Sequence, residues 1–114
     1  MSDFQIDKME RFDDRICVLH LSGALDAMSS DVLLERLYGL HSNGERKIVL
    51  EMSKLSRISA AGAGVFLEIG PVLKESGGWL KLWNLAESVL SSLNRIGVTA
   101  LYPPIETLDQ VIGL

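Results

Sequence analysis

The stretch Leu55-Ser56-Arg57-Ile58-Ser59-Ala60-Ala61-Gly62-Ala63-Gly64-Val65 decides how the rest of the chain is read. Just before it, Lys47-Ile48-Val49-Leu50-Glu51-Met52 is a short β-rich run suited to a central strand covered by helices. Residues 53–57 read as a polar loop, and 59–75 as a helix. The opening of that helix carries hardly any side chain, so another backbone or a ligand can come close. Gly70-Pro71 lies within the same helix. A proline there removes the hydrogen bond to the Leu67 carbonyl and predicts a kink or a split.

Toward the N-terminus, Phe4, Ile6 and Met9 begin a loosely alternating segment that closes at Phe12. Asp13-Asp14 makes a turn, and residues 16–21 form a second strand. Cys17, Leu19 and Leu21 fall on one face of it, and Ile16, Val18 and His20 on the other. The two runs read as an antiparallel hairpin. Ser22-Gly23-Ala24-Leu25-Asp26 is a loop leading to a helix over about 30–41. Leu33, Leu37 and Leu40 share a stripe of that helix, Ser29 stands as its N-cap, Asp31 suits its first turn, and Asn43-Gly44 stops it.

Toward the C-terminus, Gly77-Gly78 precedes a strand over 79–85 with Trp79, Lys81 and Trp83 on one side. Asn84 and Glu87 have capping-box spacing for a helix over 87–96, which Gly97 ends. A short strand near 100–102, Pro103-Pro104 and a last helix over 105–112 complete the chain. The order ββαβαβαβα predicts an α/β domain over residues 1–114. Its sheet is mixed and mostly parallel, with about five strands and about four helices, and the hairpin supplies an edge.

Composition narrows the function. Of 114 residues, 47% are apolar and 23% charged, and 11 Lys+Arg against 15 Asp+Glu leave a net charge of −4. No basic face is visible for a phosphate backbone, so nucleic acid is not an expected partner. The single cysteine, Cys17, sits in an apolar run and reads as a small buried hydrophobe. The N-terminus lacks a signal peptide, and no apolar stretch approaches the roughly 18 residues of a membrane span. A cytoplasmic protein with no membrane insertion is expected.

No serine nucleophile motif, phosphate loop or dinucleotide fingerprint is present. His20 and His41 have no partners at metal-ligand spacing: His41 reads as a solvated helix-end residue and His20 as structural. No catalysis, metal or cofactor is expected. Trp79 and Trp83 read as packing residues, with an exposed aromatic pair as the other reading. Arg57 is either a solvated charge or a partner for a phosphate or carboxylate.

The stretch from Leu55 to Val65 resembles the signature of the STAS domain, the fold of bacterial anti-sigma-factor antagonists and of sulfate-transporter tails. The family pattern is a strand, a leucine-containing loop, then Asp-Ser-Ser/Thr-Gly-x-Gly at a helix start. Leu21-Ser22-Gly23-Ala24-Leu25-Asp26 resembles the family's Gly-x-Leu-Asp turn. Gly77-Gly78, Leu93-Asn94-Arg95-Ile96-Gly97-Val98 and Ile105-Glu106-Thr107-Leu108 stand where the family has equivalents, so the resemblance extends over nearly the whole chain.

The departure lies in the signature itself. The family aspartate is Ser59 here, the first hydroxyl position is Ala60, and the phosphorylated one is Ala61. Alanine has no oxygen to accept a phosphoryl group, which would bring about −1.5 to −2 charge at pH 7.

The resemblance implies a non-catalytic module that binds an anti-sigma factor of the serine-kinase type and frees a sigma factor. Asp26, Ser59, Ala60, Ala61 and Gly62 would form the partner-binding turn, with no phosphorylation expected. Ser59 reads as a helix N-cap, with a displaced phosphoacceptor as the other reading. Asp26 reads equally as a partner contact and as a turn residue at a helix start. Two other functions stay open: an accessory subunit of a transporter ATPase, and a carrier holding a nucleotide or other anion at the helix start.

Overall fold

In the computed structural model, which describes residues 3–114, a four-stranded sheet in the order β1-β2-β3-β4 comprises β1 (Gln5–Phe12), β2 (Ile16–Leu25), β3 (Lys47–Ile58) and β4 (Trp79–Trp83). β1 runs antiparallel to β2, and β2, β3 and β4 are parallel, so the hairpin does supply an edge. Asp13 and Asp14 make its turn, both with left-handed φ, of 55° and 59°, a conformation Asp tolerates better than most residues.

Helices α1 (Ala27–Ser42), α2 (Ala60–Glu75), α3 (Glu87–Ile96) and the short α4 (Val98–Leu101) complete the chain with a 3-10 turn, Leu108–Val111. Leu33, Leu37 and Leu40 of α1 and Ala63, Phe66, Ile69 and Leu73 of α2 are buried with Leu19, Leu21, Ile48, Leu50, Leu80 and Leu82 of the sheet. Cys17 belongs to this core, and burial pushes its thiol pKa up, the behaviour of an inert small hydrophobe. On the other face Ile16, Val18 and Val49 form a smaller core with Val111, against which Phe12, Trp79, Trp83, Ile105 and Leu108 pack. The tryptophans are packing residues, as expected.

Several sequence expectations are corrected. Residues 22–25 and 53–57 are strand, not loop, and the pairing runs on to 58: Ser22 pairs with Lys54, Gly23 with Leu55, Ala24 with Arg57 and Leu25 with Ile58. Register shifts after His20 and Gly23 break the two-residue alternation there, which hides the extension from a periodicity reading. The helix expected over 30–41 begins at Ala27, and its N-cap is Asp26 rather than Ser29. α2 runs unbroken through Pro71. The bond that proline removes is the one from its own nitrogen to Leu67, and both residues lie on the exposed side, where water can serve the carbonyl.

The C-terminal third differs most. Asn84 does not cap α3: its φ is 60°, and its Nδ2 donates to Glu51 Oε2 at 2.8 Å. α3 starts after Ala86 with no side-chain cap. The fifth strand expected near 100–102 is α4, and strand pairing survives as one parallel bridge between Trp83 and Ile105. Pro103 and Pro104 cannot donate to a ladder, which confines pairing to Ile105, whose N–H reaches the Leu82 carbonyl at 2.8 Å. With Ile105 committed to the bridge, the helix expected over 105–112 shrinks to the 3-10 turn.

Where β2 ends, the first turn of α2 lies directly on it. A Cβ at Gly62 would overlap the Leu25 carbonyl oxygen and stand 2.9 Å from Leu25 Cγ, whereas one at Gly64 would meet nothing within 4 Å. Gly62→Ala is therefore expected to destabilise the fold by about 1–3 kcal/mol. Gly64→Ala, in the same helix, should stabilise it by about 0.5–1 kcal/mol. Urea unfolding midpoints of the two variants would move in opposite directions.

Candidate functional site

The parallel strands β2 and β3 end side by side, and each runs straight into a helix. Leu25 leads to Asp26, the cap of α1, and Ile58 leads to Ser59, the cap of α2. Two helix N-termini therefore share the C-terminal edge of the sheet, the edge at which α/β folds place their binding sites.

Asp26 is held by its own helix. Its Oδ1 accepts from the Met28 N–H at 3.0 Å and the Ser29 N–H at 3.2 Å. Ser29 completes the capping box: its Oγ accepts from the Asp26 N–H at 2.9 Å and donates to the Ala24 carbonyl at 2.8 Å. The outward oxygen, Oδ2, faces Arg57 Nη2 at 3.6 Å. Arg57 thus meets a carboxylate, but with 70% of its side chain exposed the pair is a weak tether. Partial burial pushes the Asp26 carboxyl pKa up; the bonds from Ser29 and Met28 and the nearby Arg57 outweigh that and leave it below the usual aspartate value.

The second N-terminus is built differently. Ser59 Oγ accepts from the Gly62 N–H at 3.2 Å, its carbonyl accepts from the Ala63 N–H at 2.9 Å, and its own N–H donates to the Leu25 carbonyl at 3.0 Å. Its hydroxyl is engaged as a cap, the first of its two sequence readings. Ala60 and Ala61 follow, both exposed, and Gly62 is buried beneath them against Leu25. No acidic residue stands in the first turn of α2. The exposed surface is small and uncharged, bordered by the Asp26–Arg57 pair. Met28, 74% exposed, adds an apolar side chain in the first turn of α1.

The structure thus gathers all five residues the sequence singled out at one end of the sheet, from β-strand ends far apart in the chain. The sequence names Ser29 as a cap of the helix rather than as the capping-box partner of Asp26, and it does not single out Met28. The Asp26-x-x-Ser29 spacing of a capping box was the available signal for Ser29; no pattern marks Met28.

The histidines lie elsewhere. His20 Nε2 is 2.6 Å from Glu10 Oε1, and its Nδ1 is 3.9 Å from Oε1 of the buried Glu51. Glu51 also accepts from Ser53 and Asn84, so this cluster ties β1, β2, β3 and the end of β4 together. His41 reaches Ser76 Oγ at 2.8 Å. Among the described residues no three His, Cys, Asp or Glu side chains are grouped to hold a metal ion, and no helix is long and apolar enough to cross a membrane.

The lowered Asp26 pKa gives a pH signature. A carboxyl depressed on folding adds stability above its unfolded value and loses it as the pH falls through the folded one. Asp26→Asn should therefore lower the melting temperature at neutral pH, and the gap from wild type should narrow in acid, below the ordinary aspartate range of about 4. A gap that stays constant into strong acid would show that the charge at Asp26 adds nothing to the cap.

Comparison with known proteins agrees with this geometry. The chain is 32% identical over 81 residues to the anti-sigma-B factor antagonist of Bacillus subtilis, covering 70% of this chain and 72% of that one. An anti-sigma factor antagonist from Mycobacterium paratuberculosis superposes with a TM-score of 0.81 at 15% identity, over 96% of this chain and 92% of that one. The Bacillus antagonist SpoIIAA, solved in unphosphorylated and phosphorylated forms, gives 0.77 in the unphosphorylated form at 20% identity, over 94% of this chain and 96% of that one. The model of the STAS domain matches residues 8–111. This chain belongs to the STAS domain family.

Proposed function

We propose that the chain is a non-catalytic anti-sigma-factor antagonist that docks on a kinase-type anti-sigma factor in the cytoplasm and so frees a sigma factor. Asp26, Ser59, Ala60, Ala61 and Gly62 form the docking turn, and the phosphorylation that relieves such binding in the family does not act at position 61. The reading rests on the likeness to the B. subtilis antagonist and on one local observation. At the start of α2 the exposed positions are methyl groups, Ala60 and Ala61, while the hydroxyl of Ser59 is bonded to the Gly62 N–H.

A phosphoryl group on this turn would set about two negative charges beside Asp26. With alanine at 61 the surface stays small and uncharged, so binding to the anti-sigma factor is constitutive. Control then falls to the amounts of the two proteins rather than to a covalent switch.

Co-purification from the native cell is expected to recover an ATP-binding anti-sigma factor, and recovery of none overturns the reading. With that partner in hand, Ala61→Glu should weaken binding at least tenfold, about 1.4 kcal/mol, by setting a charge where the contact is apolar. Incubation with partner and ATP should leave the wild-type mass unchanged, whereas Ala61→Ser should gain one phosphoryl group. Phosphate on Ser59 of the wild type would show that the switch has been displaced rather than lost.

A further inference from the structure

The two edges of the sheet are finished differently. β4 is met at its end by Ile105, but β1 forms the opposite edge over eight residues, and among the described residues no strand pairs with its outer side. A long, open edge strand is a template for another strand. The sequence of this one, Ile6-Asp7-Lys8-Met9-Glu10-Arg11-Phe12, is self-complementary when reversed.

We propose that β1 pairs antiparallel with β1 of a second copy of this chain about a twofold axis at Met9, joining the two sheets into one. In that register Lys8 lies opposite the second copy's Glu10, and Glu10 opposite its Lys8. Asp7, at the irregularity between Ile6 and Lys8, comes abreast of the second copy's Arg11, while Ile6 and Phe12 lie on opposite faces, packed on the larger and the smaller core. Opposite charges directly across a strand pair attract, and like charges repel. Sliding the pair by one symmetric step sets Lys8 against Lys8 or Glu10 against Glu10, so the charges select this register over its neighbours.

Lys8 and Glu10 carry the register, since Arg11 is already paired with Glu45 and Asp7 accepts from Ser22 within the same chain. Lys8 and Glu10 share a face, 3.5 Å apart, with side chains 59% and 41% exposed. Glu10 is steadied by His20. Met9 pairs with Leu19 of β2 and so lies on the helix-bearing face, where it is 46% exposed. On that face a groove of about 500 Å³ between β1 and α1 has Ile6, Val32 and Leu40 on its apolar side and Glu35, Arg36 and Asn43 on its polar side. Two Met9 side chains at the axis would meet on this face and cover each other there. Backbone bonds along the edge supply adhesion, and the charges supply register.

Sedimentation equilibrium of the wild type, Lys8→Glu and Glu10→Lys tests the pairing, with a thermal melt confirming that each variant is folded. The wild type should sediment at twice the mass of the chain. Each single variant sets like charges opposite one another and should dimerise at least tenfold more weakly. An equimolar mixture of the two variants restores Glu against Lys on both sides of the axis and should recover the dimer. Met9→Lys, which places two cations on the axis, should also dissociate it. A wild type that stays monomeric at the highest soluble concentration, or single variants that dimerise as tightly as wild type, would overturn the proposal, as would a mixture that fails to recover. None of these readouts involves the anti-sigma factor, so they stand or fall apart from the proposed function.

Discussion

The contact between Gly62 and the Leu25 carbonyl governs how this molecule is assembled. β2 ends and α2 begins at the same point in space, and only a residue without a side chain lets the helix come that close. The Ser59 N–H bonds to the same carbonyl, so the end of one strand anchors the start of a helix that follows a different strand. That anchor sets the height of α2 above the sheet and hence which residues of its first turn remain outside. Ala60 and Ala61 are surface because Gly62 is not.

The same junction explains the contrast between the two helix starts. α1 takes a charged cap whose carboxylate is held by two of its own N–H groups and screened by Arg57. α2 takes a neutral cap and two methyl groups. An anion would be repelled by the first and find no positive side chain in the first turn of the second.

Away from that end, the sheet's two faces are treated unequally. One carries α1, α2 and α3, while the other is covered by the segment from Ile105 to Val111 and by a polar group of Glu10, His20, Glu51, Ser53 and Asn84. Glu51 can be buried because it accepts several hydrogen bonds, a requirement for any ion removed from water. The C-terminal segment closes one sheet edge with a single bridge, and the hairpin leaves the other open. Edge treatment, rather than core packing, is where this chain has room to recruit a second strand.

The amino-acid sequence by itself determined the order of elements up to α3, the hairpin edge, the burial of Cys17 and the identity of the turn that begins α2. Each follows from local periodicity, turn chemistry or the absence of side chains, and local signals need no partner to be legible. It was silent or misleading where the answer depends on a distant group. Residues 22–25 and 53–58 are strands only because each supplies the other's backbone bonds, Asn84 donates to Glu51 instead of capping its helix, and the expected fifth strand is a short helix, with pairing confined to Ile105 beyond the two prolines. That Asp26 stands beside Arg57, and that the Ser59 hydroxyl is engaged while Ala60 and Ala61 lie exposed, was decided by tertiary structure alone. A hydrogen bond or an exposed face is set by which backbone arrives alongside, and spacing along one chain does not contain that.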